Sequence, residues 1–166
     1  NNLAQNQIQE FIQSLQQCFN AQLVCVYLFG SAASDQLRPQ SDVNMLVVVR
    51  EFCALAHTDL QPALRQARAL IQLHVMFLEE RELHITASCF AVKFADMQMR
   101  HKLMWGDDVL KTVVLKPAEL INSARQMLCN FQLRSREQFL LAHSREEQLI
   151  KLIATAAAPL RANAAA

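Results

Sequence analysis

The sequence predicts an α/β protein that continues into an all-helical C-terminal appendage. Two continuous apolar runs, LVCVYLF at 23–29 and VNMLVVVR at 43–50, are typical of central strands buried on both faces. Apolar residues at helical spacing predict flanking helices over 2–19 and 59–72. Beyond Gly106 the pattern becomes helical throughout, so we place the α/β domain at 1–115 and the helical appendage at 116–166.

The remaining segments predict further elements in order. LHVMFL at 73–78 reads as a third strand, and the acidic EERELH that follows it predicts a short helix. CFAVKFA at 89–95 alternates apolar and mixed positions and predicts a fourth strand. Helices are predicted over 118–141 and from Ser144, where Glu147 completes a capping box. The end, TAAAPLRANAAA, has no capping glycine, which indicates either a truncated end or a final helix that depends on a partner.

Composition narrows the class of protein. The 166 residues carry a net charge of +1, which gives no strong electrostatic footprint for nucleic acid. Five cysteines stand apart in apolar runs without a CxxC pair, a pattern typical of free thiols in a reducing compartment. No apolar run approaches the roughly 20 residues that span a bilayer. We therefore expect a soluble, cytoplasmic protein without a membrane or nucleic-acid partner.

Only two glycines occur in the chain, Gly30 and Gly106. Glycine allows backbone conformations and close approaches that a side chain prevents. With so few glycines available, each of the two is expected to mark a position where a side chain is not tolerated.

The segment VYLFGSAASDQLRPQSDVNMLVVV, 26–49, carries the pattern most suggestive of chemistry. Gly30 ends a strand and would let backbone amides approach a phosphate, and Ser31 adds a hydroxyl donor. Asp42 and Asn44 open the next strand two residues apart, so both side chains would point to the same side and could reach one metal ion. The segment predicts a phosphate cradle followed by a metal site.

This segment resembles the nucleotidyltransferase superfamily, which has the polymerase-β-like fold. The resemblance rests on Gly30-Ser31 and on the Asp-x-Asn of 42–44, and it extends through 82–110 to a bacterial subgroup. It implies a small mixed-sheet domain with flanking helices, followed by a helical appendage. It also implies a nucleoside triphosphate, in the first place ATP, and two Mg²⁺ ions held by Asp-x-Asp and by a third acid on a neighbouring strand.

Two of the three implied carboxylates are replaced. Asn44 stands at the second position, and the third falls either at Lys93 or, if it belongs to the strand 73–78, at His74. Asp42, Asn44 and Lys93 are thus the degenerate catalytic positions, with Asp42 and Asn44 the candidate metal ligands. Gly30, Ser31 and Lys93 are the candidate nucleotide-binding residues, and Lys93 is expected to pair with Asp42 in place of Mg²⁺.

Three functions follow from these observations. The first is a catalytically impaired nucleotide-binding or regulatory module, a pseudoenzyme. The second is an active Mg²⁺-dependent nucleotidyltransferase that moves a nucleoside monophosphate from a triphosphate to a hydroxyl. The third is an antitoxin-like protein that binds a protein partner, or a second copy of itself as a homodimer, through the C-terminal helices.

Overall fold

A computed structural model describes residues 2–30, 33, 42–53, 58–141 and 150. The chain forms two compact units. The first, called the sheet unit, comprises Asn1–His84 and Met97–Val113. The second, called the helical unit, comprises Ile85–Asp96 and Val114–Ala166. The architecture is a mixed α/β fold with a C-terminal helix, as the sequence predicts.

The sheet unit contains a four-stranded mixed sheet in the order β3-β2-β1-β4. The strands are β1 (Leu23–Phe29), β2 (Val43–Val49), β3 (Leu73–Glu79) and β4 (His101–Gly106). β1 runs antiparallel to both β2 and β4, whereas β2 and β3 are parallel. The two runs predicted to be central strands are the two central strands, and almost every residue in them is buried.

Two helices cover one face of this sheet. These are α1 (Asn2–Phe19) and α2 (Gln61–Ile71), which pack against each other and close the main hydrophobic core. Strand residues alternate between faces, so every second side chain of β2 enters this core. The core residues that the strands contribute include Val26, Leu28, Val43, Met45, Val47, Val49 and Leu73.

The prediction of a strand at 89–95 is wrong, because this segment is helical. Helix α3 spans Leu83–Cys89 and α4 spans Ala91–Met99. In a strand, Phe90 would share a face with Phe94, yet Phe90 is 56% exposed and Phe94 is fully buried. Over a longer window the buried residues recur every three or four positions, the spacing of a helix. They are Leu83, Ala87, Ala91, Phe94 and Met97.

The fourth strand instead lies at His101–Gly106, in a segment for which the sequence predicted no element. It is an edge strand paired only with β1 within the described residues, and it carries a bulge opposite Val26 and Tyr27. Most of its side chains are exposed or half-buried, so it lacks the apolar run by which a buried strand is recognised.

The helical unit contains the long helix α5, Pro117–Leu141, which confirms the helix predicted after Pro117. Glu119 accepts a hydrogen bond from the Lys116 N–H at 2.8 Å and so caps the first turn. The helix predicted from Ser144 lies outside the described residues, apart from Ile150. In the part of the chain described, no helix has the length and hydropathy to cross a bilayer.

Candidate functional site

Strand pairing brings Gly30, Asp42, Asn44 and His74 to one end of the sheet, called here the Asn44 end. Phe29, the last residue of β1, pairs with Asn44, and Asn44 pairs with His74 on β3. The end of β1 therefore meets the beginnings of β2 and β3. Gly30 directly follows β1, and Asp42 directly precedes β2.

Gly30 has a backbone φ of +71°, in the left-handed region that favours glycine. A Cβ built at this position would lie 3.9 Å from Nδ2 of Asn44, an ordinary van der Waals contact. Backbone conformation rather than lack of space therefore explains this glycine. Ser31, the next candidate phosphate ligand, lies outside the described residues.

Asn44 and His74 occupy one face of the sheet. Residues paired in register on parallel strands point to the same side, and neighbouring strands lie about 4.8 Å apart. The neighbours of Asn44 along β2, Val43 and Met45, enter the core on the opposite face. His74 is exposed and Asn44 is half-buried, so both polar groups can be reached from solvent.

Asp42 adds a carboxylate to this end of the sheet. It is exposed and directly precedes β2, two residues before Asn44. The two motif positions and His74 together supply one carboxylate, one amide and one imidazole. The sequence named each of these residues, but only the strand pairing shows that His74 lies beside Asn44.

This donor set does not fit a pair of Mg²⁺ ions. Mg²⁺ is a hard cation that takes oxygen ligands in octahedral geometry, and imidazole nitrogen is a poor substitute for a carboxylate. Among the described residues, no group of three or more His, Cys, Asp or Glu side chains is arranged to hold a metal ion. No chemical step through Mg²⁺ is therefore assigned to this site.

Lys93 lies on α4 and not on a strand, so the strand register that directed it toward Asp42 is wrong. Its side chain is exposed, and partial desolvation by the surrounding protein lowers the pKa of its ammonium group. Lys93 belongs to the helical unit and Asp42 to the sheet unit. The pairing of these two residues stays a prediction.

A second polar cluster, centred on the buried Tyr27, was missed by the sequence interpretation. The Tyr27 hydroxyl lies 3.1 Å from Oδ1 of Asp108 and accepts the N–H of Leu110 at 3.2 Å. Asp108 also lies 3.1 Å from the Lys111 ammonium and 3.6 Å from Nε2 of His101. The sequence signal is Gly106-Asp107-Asp108, a pattern that is equally typical of a solvated turn.

The polar groups of this cluster are paired with one another. Burial raises the pKa of Asp108, but hydrogen bonds from Lys111 and Tyr27 outweigh that effect and leave the pKa below its usual value. Burial likewise raises the pKa of the neighbouring Cys25 thiol to about 11, which makes it a poor nucleophile at neutral pH. The cluster fastens residues 108–110 onto the face of β1.

Comparison with known proteins identifies the fold. No protein-family model matches the sequence, and no curated protein matches it either. Among solved structures, the spectinomycin adenyltransferase of Enterococcus faecialis, determined with ATP and spectinomycin, superposes with a TM-score of 0.56. The match has 16% identity and covers 84% of this chain and 75% of that one. The chain has the nucleotidyltransferase-superfamily fold.

Two weaker matches involve toxin–antitoxin complexes. One is the Shewanella oneidensis HEPN toxin in its tri-AMPylated form with the MNT antitoxin, with a TM-score of 0.39, 14% identity, and coverage of 83% of this chain and 95% of that one. The other is a toxin–antitoxin complex with AMP-PNP, with a TM-score of 0.38, 15% identity, and coverage of 80% and 94%. Within the nucleotidyltransferase fold, the chain's own residues decide which activity can be proposed.

Proposed function

We propose that this protein is a nucleotide-binding module that has the nucleotidyltransferase fold but is impaired in Mg²⁺-dependent transfer. The observation that carries this proposal is the register pairing of Asn44 with His74. These two residues stand where the resemblance implies the second carboxylate and, on one alignment, the third. An amide and an imidazole therefore occupy the positions from which the acids would bind two metal ions.

Charge explains why these replacements would impair catalysis. Two divalent cations that lie close together repel each other strongly, and three carboxylates offset that repulsion. With Asp42 as the one carboxylate, most of the repulsion between the two ions would remain uncompensated. The nucleotidyl transfer reaction relies on those ions to neutralise the phosphates, so we expect transfer to be slow or absent.

Nucleotide binding is less dependent on the lost acids. The backbone at Gly30 has the conformation of a tight turn after a strand, where amide groups can approach phosphate oxygens. We propose that the backbone amide of Gly30 and the hydroxyl of Ser31 contact the phosphates. ATP is the nucleotide to test first, because the spectinomycin adenyltransferase with the same fold was determined with ATP.

Restoring the acids tests the proposal. In the Asn44→Asp, His74→Asp double variant, we expect Mg²⁺ to strengthen ATP binding at least about tenfold, because three carboxylates then face the metal. Asn122→Asp and His84→Asp make the same two chemical changes at exposed positions on α5 and α3, and they serve as the matched control. Equal Mg²⁺ dependence in the two double variants, measured by calorimetry, would contradict the proposed site.

A second function, the binding of a protein partner, is favoured by α5. This helix has 25 residues and none of them is buried. Helices of soluble proteins usually bury an apolar stripe, and exposed apolar clusters mark interaction surfaces. The large apolar side chains of α5 that remain exposed are Ile121, Leu128, Leu133, Phe139, Leu140 and Leu141.

The mass of the protein in solution tests the partner function. Size-exclusion chromatography with light scattering should detect self-association that Leu128→Glu weakens, whereas Gln126→Glu, an exposed polar position on the same helix, should leave it unchanged. A monomer at every concentration would exclude the homodimer. The partner that binds α5 would then be a different protein.

A further inference from the structure

We infer that β3 is a dimerisation strand, whose outer edge pairs antiparallel with β3 of a second copy of this chain. Two four-stranded sheets would then form one continuous sheet. This surface is distinct from α5, and the pairing requires no nucleotide, so it goes beyond both functions proposed above.

The two edge strands of the sheet differ in how they are protected. β4 carries a bulge and the exposed Lys102, two features by which proteins prevent an edge strand from pairing with other chains. β3 has neither, because its seven residues pair with β2 without a register shift and include no lysine, arginine or proline. Among the residues that the structure describes, no strand pairs with the outer side of β3. A regular, apolar edge of this kind is a template for a further strand.

The middle of β3 also retains apolar surface. Val75, Met76 and Phe77 are half-buried, whereas their register partners in β2 are fully buried. Phe52, whose ring centroid lies 5.4 Å from that of Phe77, is 40% exposed and extends this surface. A strand paired with β3 would cover the exposed part of these side chains.

The sequence of β3 is complementary to itself. Two identical strands pair antiparallel about a two-fold axis, and all seven residues find a partner only when that axis passes through Met76. Met76 then faces Met76 of the second copy, and Val75 faces Phe77. A β-branched residue opposite an aromatic one is among the cross-strand pairs that stabilise antiparallel sheets.

The charges of β3 are compatible with the same register. Glu79 would face Leu73 of the second copy, and His74 would face Leu78. No two ionisable side chains oppose each other, so the pairing avoids the repulsion that like charges produce across a strand pair. Each strand therefore supplies the apolar partners that the other requires, which is the reason to assign this edge to a second copy.

Disulfide cross-linking at the two-fold axis tests the inference. Directly opposed residues of antiparallel strands have Cβ atoms about 4.5–5.5 Å apart, close to the spacing of a disulfide, so two Met76→Cys side chains should join. Oxidised glutathione accepts the two electrons and is released as two thiols. The full-length chain carries Leu128→Glu, to remove association through α5, and serine in place of the exposed cysteines Cys53, Cys89 and Cys129.

Met104→Cys in the same background is the matched control, because it replaces a half-buried methionine on the other edge strand, β4. We expect Met76→Cys to give a covalent dimer that dithiothreitol reverses, and Met104→Cys to remain a monomer on a non-reducing gel. A monomeric Met76→Cys protein, or equal cross-linking of the two variants, would overturn the inference.

A charge at the axis provides a second test that needs no oxidation. Met76→Lys would place two ammonium groups opposite each other, so the dissociation constant of the dimer should rise at least about tenfold. Met104→Lys should leave it unchanged. Light scattering in the Leu128→Glu background measures both, and thermal unfolding establishes that each variant is folded. A dimer that persists unchanged in folded Met76→Lys, or a monomer in the background protein itself, would overturn the inference.

Discussion

Asn44 on β2 pairs in parallel register with His74 on β3, so an amide and an imidazole lie side by side on one face of the sheet. The pairing brings together two residues that are 30 positions apart in sequence. It also shows that His74, and not only Lys93, must be considered as a replacement for the third acid. The proposed function depends on this pair.

Gly106→Ala should destabilise the protein far more than Gly30→Ala. Both glycines have positive φ, but a Cβ at Gly106 would lie 2.1 Å from the carbonyl oxygen of Val24, on the paired strand β1. Gly30 has no such clash, so its substitution should cost only the left-handed penalty of about 1–2 kcal/mol. Chemical denaturation of the two variants measures the difference, and equal losses would contradict the close approach at Gly106.

Gln72→Gly should stabilise the protein by about 0.5–1 kcal/mol. Gln72 ends α2 with a φ of 50°, a conformation in which glycine avoids the steric cost of a side chain. Gln66→Gly provides the matched control, because an exposed position inside the same helix should lose about 1 kcal/mol. Thermal unfolding of both variants checks the prediction, and a loss of stability in Gln72→Gly would show that its side chain has another role.

Tyr27→Phe should lower the free energy of unfolding by about 1–3 kcal/mol, because it leaves the buried Leu110 N–H without its acceptor. Asp108→Asn retains that acceptor and removes the negative charge that faces Lys111 and His101. The Asn variant should therefore lose less stability at neutral pH. Urea unfolding of the two variants compares them, and a neutral Tyr27→Phe would mean that the hydroxyl contributes nothing to the cluster.

Glu79 should make stability fall in acid. Its pKa is lowered chiefly by the N–H of Phe52, which donates to Oε1 at 2.9 Å, and Arg81 adds to this effect. Because the folded pKa lies below the unfolded one, the stabilisation is complete above the unfolded pKa of about 4.3 and is lost as pH falls through the folded pKa. Glu79→Gln should flatten this part of the pH–stability curve.

Exposed Glu80 supplies the control for that experiment. Glu80→Gln should leave the acid limb of the curve close to that of the unchanged protein. If both variants have the same slope between about pH 3 and 4.5, the hydrogen bond to Phe52 does not link Glu79 to folding.

The central strands were predictable because burial on both faces requires continuous apolar residues, as at 23–29 and 43–49. The helical conformation of 89–95 was not predictable from that segment alone. Its seven residues, with apolar positions at 90, 92 and 94, fit a short strand as well as a helix. Only the repeat of buried residues over the longer window from Leu83 to Met97 distinguishes a helix from a strand here. β4 has no continuous apolar run, because an edge strand buries few of its side chains.

The candidate site was predictable in its residue types but not in its arrangement. Gly30, Asp42 and Asn44 follow from local spacing along the chain. The sequence names His74 as one of two alternatives for the third acid, but only the parallel pairing of β2 with β3, a long-range contact that no local pattern encodes, shows that it lies beside Asn44. The Tyr27 cluster was hidden for the same reason, because its partners lie about 80 residues away.

Calorimetric titration of ATP into the purified protein, once with Mg²⁺ and once with EDTA, is the decisive test of nucleotide binding that does not depend on Mg²⁺. We expect ATP to bind in both, with affinities that agree within about twofold, because Asn44 and His74 have replaced the acids that would make binding depend on Mg²⁺. Binding that appears only with Mg²⁺ would contradict the account and would indicate an active metal-dependent nucleotidyltransferase. No binding in either titration would contradict the nucleotide-binding function itself.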